Sequence, residues 1–194
     1  MLRLAPYVLG ALALAGAAAA QHQHGAAPSA PHAGSGQHSA GGHGAPSAPY
    51  AGLERRAVAS LSEEQIADLR AGRGMGLALA AELNGYPGPV HVLELAEALG
   101  LSEAQRSRIE ALHASMKSEA VSLGERLIAQ ETDLDAAFRE RTITPASLAQ
   151  KTGAIAATQG DLRHTHLKYH LSTVEVLSPE QVARYNALRG YGKR

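Results

Sequence analysis

Leu101-Ser102-Glu103-Ala104-Gln105 opens the stretch whose reading decides the fold. A Ser hydroxyl at a helix N-cap accepts from an orphan backbone N–H, and a Gln three residues on reaches back to the Ser N–H. The Leu before the Ser is placed as a hydrophobic staple. The run that follows carries apolar residues at Ile109, Leu112, Met116, Ala120, Leu123, Leu127, Leu134 and Phe138. Steps of three, four and seven are those of one helix face, so a helix is predicted from Ser102 to about Arg139.

The same five-residue opening recurs on both sides, as Leu61-Ser62-Glu63-Glu64-Gln65 and Leu177-Ser178-Pro179-Glu180-Gln181. Pro179 falls at the first helical position, where its missing N–H costs nothing. The upstream copy predicts a helix from Ser62 to about Leu83. Its middle, Gly72-Arg73-Gly74-Met75-Gly76, is costly in a helix and calls for a kink or a close helix approach. Asn84-Gly85-Tyr86-Pro87-Gly88-Pro89 is a firm break, followed by a short helix over about Val90 to Leu99 that Gly100 closes. Thr144-Pro145 caps a further helix reaching about Val176, with its stripe at Leu148, Thr152, Ile155, Gln159, Leu162, His166, Tyr169 or His170, and Thr173. The downstream copy opens a last helix ending near Leu188, and residues 190–194 fray.

The link from Glu140 to Ile143 is short, so the two long helices are expected to double back as an antiparallel hairpin. The expected fold is all-α: an elongated helical hairpin with additional short helices, occupying residues 59–194.

Folding about residue 143 pairs positions whose numbers sum to roughly 286. His170 then faces Met116, and His166 faces Ala120, with His113 and Glu119 one turn away. His166 and His170 share a face, as do His113 and Met116. His113, Met116, Glu119, His166 and His170 can thus converge as an N/O/S ligand set for Ni, Co, Cu or Zn. The plainer alternative makes them polar residues flanking the seam, with Met116 in the core. His164 points elsewhere and is expected to be solvated; His91 is expected to be structural.

The composition limits the rest. The 194 residues hold 18 Lys plus Arg against 18 Asp plus Glu, which gives no pull toward nucleic acid or anionic membrane. There is no Cys, so disulfides, thiolate metal sites and Cys nucleophiles are excluded. No HExxH, Ser elbow or phosphate-cradling loop is present, and the acidic residues are scattered, so no enzyme is expected and no cofactor is required.

Met1-Leu2-Arg3, the apolar run from Tyr7 to Leu14 and the small residues from Gly16 to Ala20 read as an export signal, residues 1–20, cleaved near Ala20. The apolar run falls short of the ~20 residues a membrane span needs. Export of this kind points to the periplasm, with secretion as the alternative. Residues 21–58 form a Gly/Ala/Pro/Ser/His-rich tail, expected to be disordered, that contains His22, His24, His32, His38 and His43. Those imidazoles are either loose ligands for Cu, Zn or Ni or part of a solvated linker.

With its Leu-Ser-x-x-Gln copies flanking a long hairpin in an exported, Cys-free helical chain, the sequence resembles the Spy/CpxP family of periplasmic chaperones and stress proteins. That family carries a Leu-Thr-x-x-Gln motif; Ser replaces Thr in all three copies and keeps the hydroxyl cap. The stretch from Arg163 to His170, followed by Leu177–Gln181, is also similar to the related periplasmic heavy-metal sensors and zinc-resistance-associated proteins. The resemblance spans roughly residues 61–188. It implies a helical cradle, usually a homodimer, that binds unfolded or misfolded periplasmic proteins without ATP. In the sensor branch it implies histidines on the hairpin that hold metal, and a membrane-bound stress or metal regulator as partner.

Overall fold

The computed structural model describes residues 48–192. The expected export signal, and the tail with its five histidines up to residue 47, lie outside the described residues. Of the expected tail, residues 48–58 are described: they carry a single 3-10 turn at Leu53–Arg55, and Val58 is buried and bridges to Leu61.

Seven α-helices follow among the described residues: α1 Glu63–Ala71, α2 Leu79–Glu82, α3 Pro89–Glu94, α4 Ala96–Leu99, α5 Glu103–Arg139, α6 Pro145–Val174 and α7 Pro179–Arg189. None of them is long and apolar enough to cross a membrane. All three Leu-Ser-x-x-Gln copies form complete capping boxes. Ser62, Ser102 and Ser178 accept from the backbone N–H of Gln65, Gln105 and Gln181, and each Gln side chain accepts from the Ser backbone N–H. Each Leu before the cap packs on the core: Leu61 on one apolar cluster, Leu101 and Leu177 on another.

The hairpin of α5 and α6 is the spine. Thr144 makes a fourth capping box with Ser147 after a turn in which Arg141 takes φ 56°. Contacts along the seam hold the expected register: Lys168 and Tyr169 meet Glu119, and Lys151 pairs with Asp133. Ile109, Met116, Ala120, Leu127, Ile155, Leu162 and Thr173 are buried, as their stripes predict. The stripes fail toward the turn. Phe138 and Leu148 are exposed, and on α6 Thr158 takes the buried place expected of Gln159.

The single helix expected from Ser62 to Leu83 is instead two. Gly72 adopts φ 67° and ends α1 in a left-handed cap, its N–H reaching back to Asp68 and Leu69. Such a φ suits Gly because no Cβ meets the following carbonyl. The glycines also admit close approach: a Cβ on Gly124 of α5 would lie 2.5 Å from the Leu69 carbonyl oxygen, so α1 rests almost backbone to backbone on the hairpin. The short helix expected over Val90–Leu99 likewise breaks at Leu95, into α3 and α4.

Two apolar clusters result. Leu69, Ala120, Leu127, Ile128, Ile155 and Leu162 bind α1 to the hairpin. Val92, Leu99, Ile109, Leu177 and Tyr185 join α3, α4 and α7 at its open end. Between them the chain from Gly72 to Pro89 crosses the histidine-bearing part of α6.

Candidate functional site

Residues 72–90, with α5 and α6, enclose a cleft of about 640 Å³. Four of the five predicted hairpin ligands line it: His113, Met116, His166 and His170. The antiparallel register brings them to one place, as the sequence expects. Glu119 is not among the lining residues. Its carboxylate accepts from Lys168 at 2.5 Å and from the Tyr169 hydroxyl at 2.7 Å, away from the histidines. The Lys168 ammonium, then the Tyr169 hydroxyl, hold the Glu119 carboxyl below its ordinary value. His164 is exposed, as expected. His91 also lines the cleft, half-exposed, with Nδ1 3.1 Å from Glu94 Oε2.

His170 is buried and tied down. Its Nδ1 lies 2.5 Å from the Tyr86 carbonyl oxygen. A carbonyl only accepts, so Nδ1 is the donor in this bond. Gly88 packs directly over the ring, where a Cβ would come within 2.8 Å of Nε2.

Glu82 is buried beneath the same segment. It accepts from the Gly88 N–H, from the Tyr191 hydroxyl at 3.1 Å and from the Tyr185 hydroxyl. Burial first, and then the Glu82 carboxylate, push the Tyr185 hydroxyl well above the ordinary phenol value. A carboxylate with this many donors is a satisfied buried acceptor rather than a free ligand.

His166 differs. Only 3 % of it is exposed, and its buried Nε2 has no hydrogen-bond partner. Burial, and then repulsion from His170, hold its imidazole below the ordinary value, so the neutral ring is favoured. Gly74 of the glycine-rich turn lies against the ring, with its Cβ position 3.7 Å from Nδ1. Met75, the next residue, takes φ 45° and lines the same cleft, 41 % exposed. Sequence reasoning passed over Met75, Glu82 and Tyr86. The glycines around Met75 and the Pro/Gly residues around Tyr86 signalled irregular chain, but not where it would lie.

The borderline divalent ions implied by the sensor branch want three or four N/O donors around one point. Among the described residues no group of three or more His, Asp or Glu is placed to hold a metal ion. Glu119 is engaged elsewhere and His170 Nδ1 is taken by Tyr86. Of the five-residue set, His113, Met116, His166 and His170 line the cleft and Glu119 does not.

A long antiparallel hairpin, entered and left through Leu-Ser-x-x-Gln capping boxes and carrying a histidine-lined cleft, makes this an all-α protein built on a capped hairpin. The family model described as LTXXQ motif family protein matches residues 90–189, and the chain belongs to that family, which includes Spy/CpxP and zinc-resistance-associated proteins. No curated protein and no solved structure matches the chain.

Proposed function

We propose that this protein is an ATP-independent chaperone of the periplasm that holds partly unfolded exported proteins. One observation carries the reading. The hairpin and its flanking segment leave large apolar side chains in solvent among charged ones, with Phe138 53 %, Leu171 54 % and Leu79 54 % exposed. Exposed apolar side chains spaced along a helical frame offer an unfolded chain separate weak contacts, each limited to the apolar area it buries. Family membership supports the same reading. The test is light scattering from a chemically unfolded client. Near-stoichiometric protein, without nucleotide, should suppress aggregation, and unchanged scattering would remove the reading.

A second reading, metal handling at the cleft, is favoured by the buried, unpartnered Nε2 of His166. Titration of the full chain with individual metal ions tests it. Binding that is unaffected by His166→Ala would count against the cleft.

A further inference from the structure

Between α1 and α2 the chain bends through Gly74-Met75-Gly76-Leu77. The Leu77 N–H closes this turn on the Gly74 carbonyl at 2.7 Å, with Met75 at φ 45° and Gly76 at φ 79°. The turn borders the cleft of about 640 Å³, a size inside the roughly 300–1,000 Å³ of small-molecule pockets. Among the described residues the N–H groups of Gly74, Met75 and Gly76 reach no backbone acceptor. His166 stands behind the turn. It is 3 % exposed, its Nε2 has no hydrogen-bond partner, and its Nδ1 lies 3.7 Å from the Cβ position of Gly74. With nothing to accept from Nε2, a neutral ring best carries its N–H at Nδ1, on the edge toward the turn.

The charges around the cleft decide what could meet these donors. Its carboxylates are already engaged. Asp68 accepts from Arg73; Glu82 accepts from Gly88, Tyr185 and Tyr191; Glu94 pairs with His91 and Arg189. Lys117 lines the same cleft, is exposed, and pairs with no carboxylate among the described residues. Its stem runs beside the cap of α1, with Cγ 3.4 Å from the Cβ position of Gly72. What stands unengaged is thus donor and cation, and the complement is an acceptor with negative charge. The rest of the wall is apolar, with Met75, Leu79, Pro89, Val90 and Met116. A bare inorganic anion would leave that wall uncovered, whereas a carboxylate on an apolar body meets both parts.

We propose that the cleft takes up a small organic acid, its carboxylate held by Lys117 and the turn at Gly74–Gly76, and its apolar body laid against the methionine- and leucine-bearing wall. The ligand is a free small molecule, so the proposal goes beyond the holding of unfolded chains. Phe138 and Leu171, which carry that reading, lie outside the lining of the cleft. No metal ion takes part. Gly74 matters here because a side chain would stand over the Nδ1 edge of His166, where the bare turn leaves room for an acceptor.

The test titrates the full chain, kept in a chelator so that no metal bridges, with octanoate and with 2-naphthoate, followed by calorimetry and by amide NMR. At least one of the two acids should bind at one equivalent and shift the amide signals of Gly74, Met75 and Gly76; which one binds tighter tells an acyl chain from an aromatic ring. Acetate, which lacks the body, and octanamide, which lacks the charge, should each bind about tenfold more weakly or worse. Lys117→Met, at an exposed position, should keep the fold and weaken the acid about fivefold or more. Three results would overturn the proposal: neither acid moving the turn amides, octanamide binding as well as octanoate, or Lys117→Met leaving the affinity unchanged. The amide shifts need no variant, so they decide the matter even if a substitution disturbs folding. Client holding, read by light scattering, stands or falls separately.

Discussion

Gln105 and Gln181, the last residues of two Leu-Ser-x-x-Gln motifs 76 positions apart, hydrogen-bond each other side chain to side chain. The Gln105 amide donates to Gln181 Oε1 at 2.8 Å, and the Gln181 amide to Gln105 Oε1 at 3.1 Å. Gln105 also donates to the Val176 carbonyl at 2.9 Å. Each Gln thus closes its own capping box and clasps the other helix start. The motif is a local cap in the sequence and a tertiary joint in the fold: it fastens α7 to the entry of α5.

That double duty sets the expected cost of breaking it. Gln105→Ala and Gln181→Ala should each destabilise by about 1–2 kcal/mol, since cap and clasp are lost together. In urea unfolding the double variant should cost less than the two singles added, with a coupling of about 0.5–1 kcal/mol. The equivalent Gln65→Ala, whose Gln closes only its own cap, should cost less than either.

Two glycines should respond to alanine with opposite signs. Gly160 sits in α6 with open space where a Cβ would go, so Gly160→Ala should stabilise by about 0.5–1 kcal/mol. In α5 the same change at Gly124 drives a Cβ into the Leu69 backbone. Its helix gain should be outweighed by about 1–3 kcal/mol of overpacking, with α1 losing amide-exchange protection first.

The Glu119–Lys168–Tyr169 cluster carries a pH signature. Glu119 has its pKa lowered from 4.5 in the folded state, so the unfolded chain binds its proton first as pH falls. Its stabilising contribution is therefore complete above the unfolded value and is lost as pH drops through the folded one. Thermal unfolding of the protein and of Glu119→Gln should differ near neutral pH and converge in acid. A difference that grew in acid would mean the cluster has the opposite sign.

Tyr185→Phe removes the hydroxyl that meets buried Glu82 and leaves the Gly88 N–H and Tyr191 as its remaining donors. A loss of about 1–3 kcal/mol is expected, read from denaturant midpoints. Tyr191→Phe, at a longer bond and a less buried site, should lose less.

The hairpin, its register and all three capping boxes were legible in the sequence because each rests on short-range periodicity. Fourfold spacing placed His166 and His170 on one face, and the short link at 140–143 put His113 and Met116 opposite. What lay beyond reach was the path of residues 72–89. Their glycines and prolines give them no period, so tertiary contacts decide where Met75, Tyr86 and Gly88 settle. Glu119 pairs with Lys168 and Tyr169 instead of lining the cleft. Its position on the helix was foreseeable, but its engagement by Lys168 and Tyr169 depends on side-chain reach across the seam. The clasp between Gln105 and Gln181 went unread because capping alone already explained both residues.

The most direct test of client holding is site-specific photo-cross-linking with a photoreactive phenylalanine placed singly at Phe138, Leu171 and Leu79, and at the exposed polar controls Glu110 and Gln159. With an unfolded client present, the three apolar positions should capture it well above the controls. Equal capture at all five positions, or none from a folded protein, would contradict the proposal that these side chains hold clients.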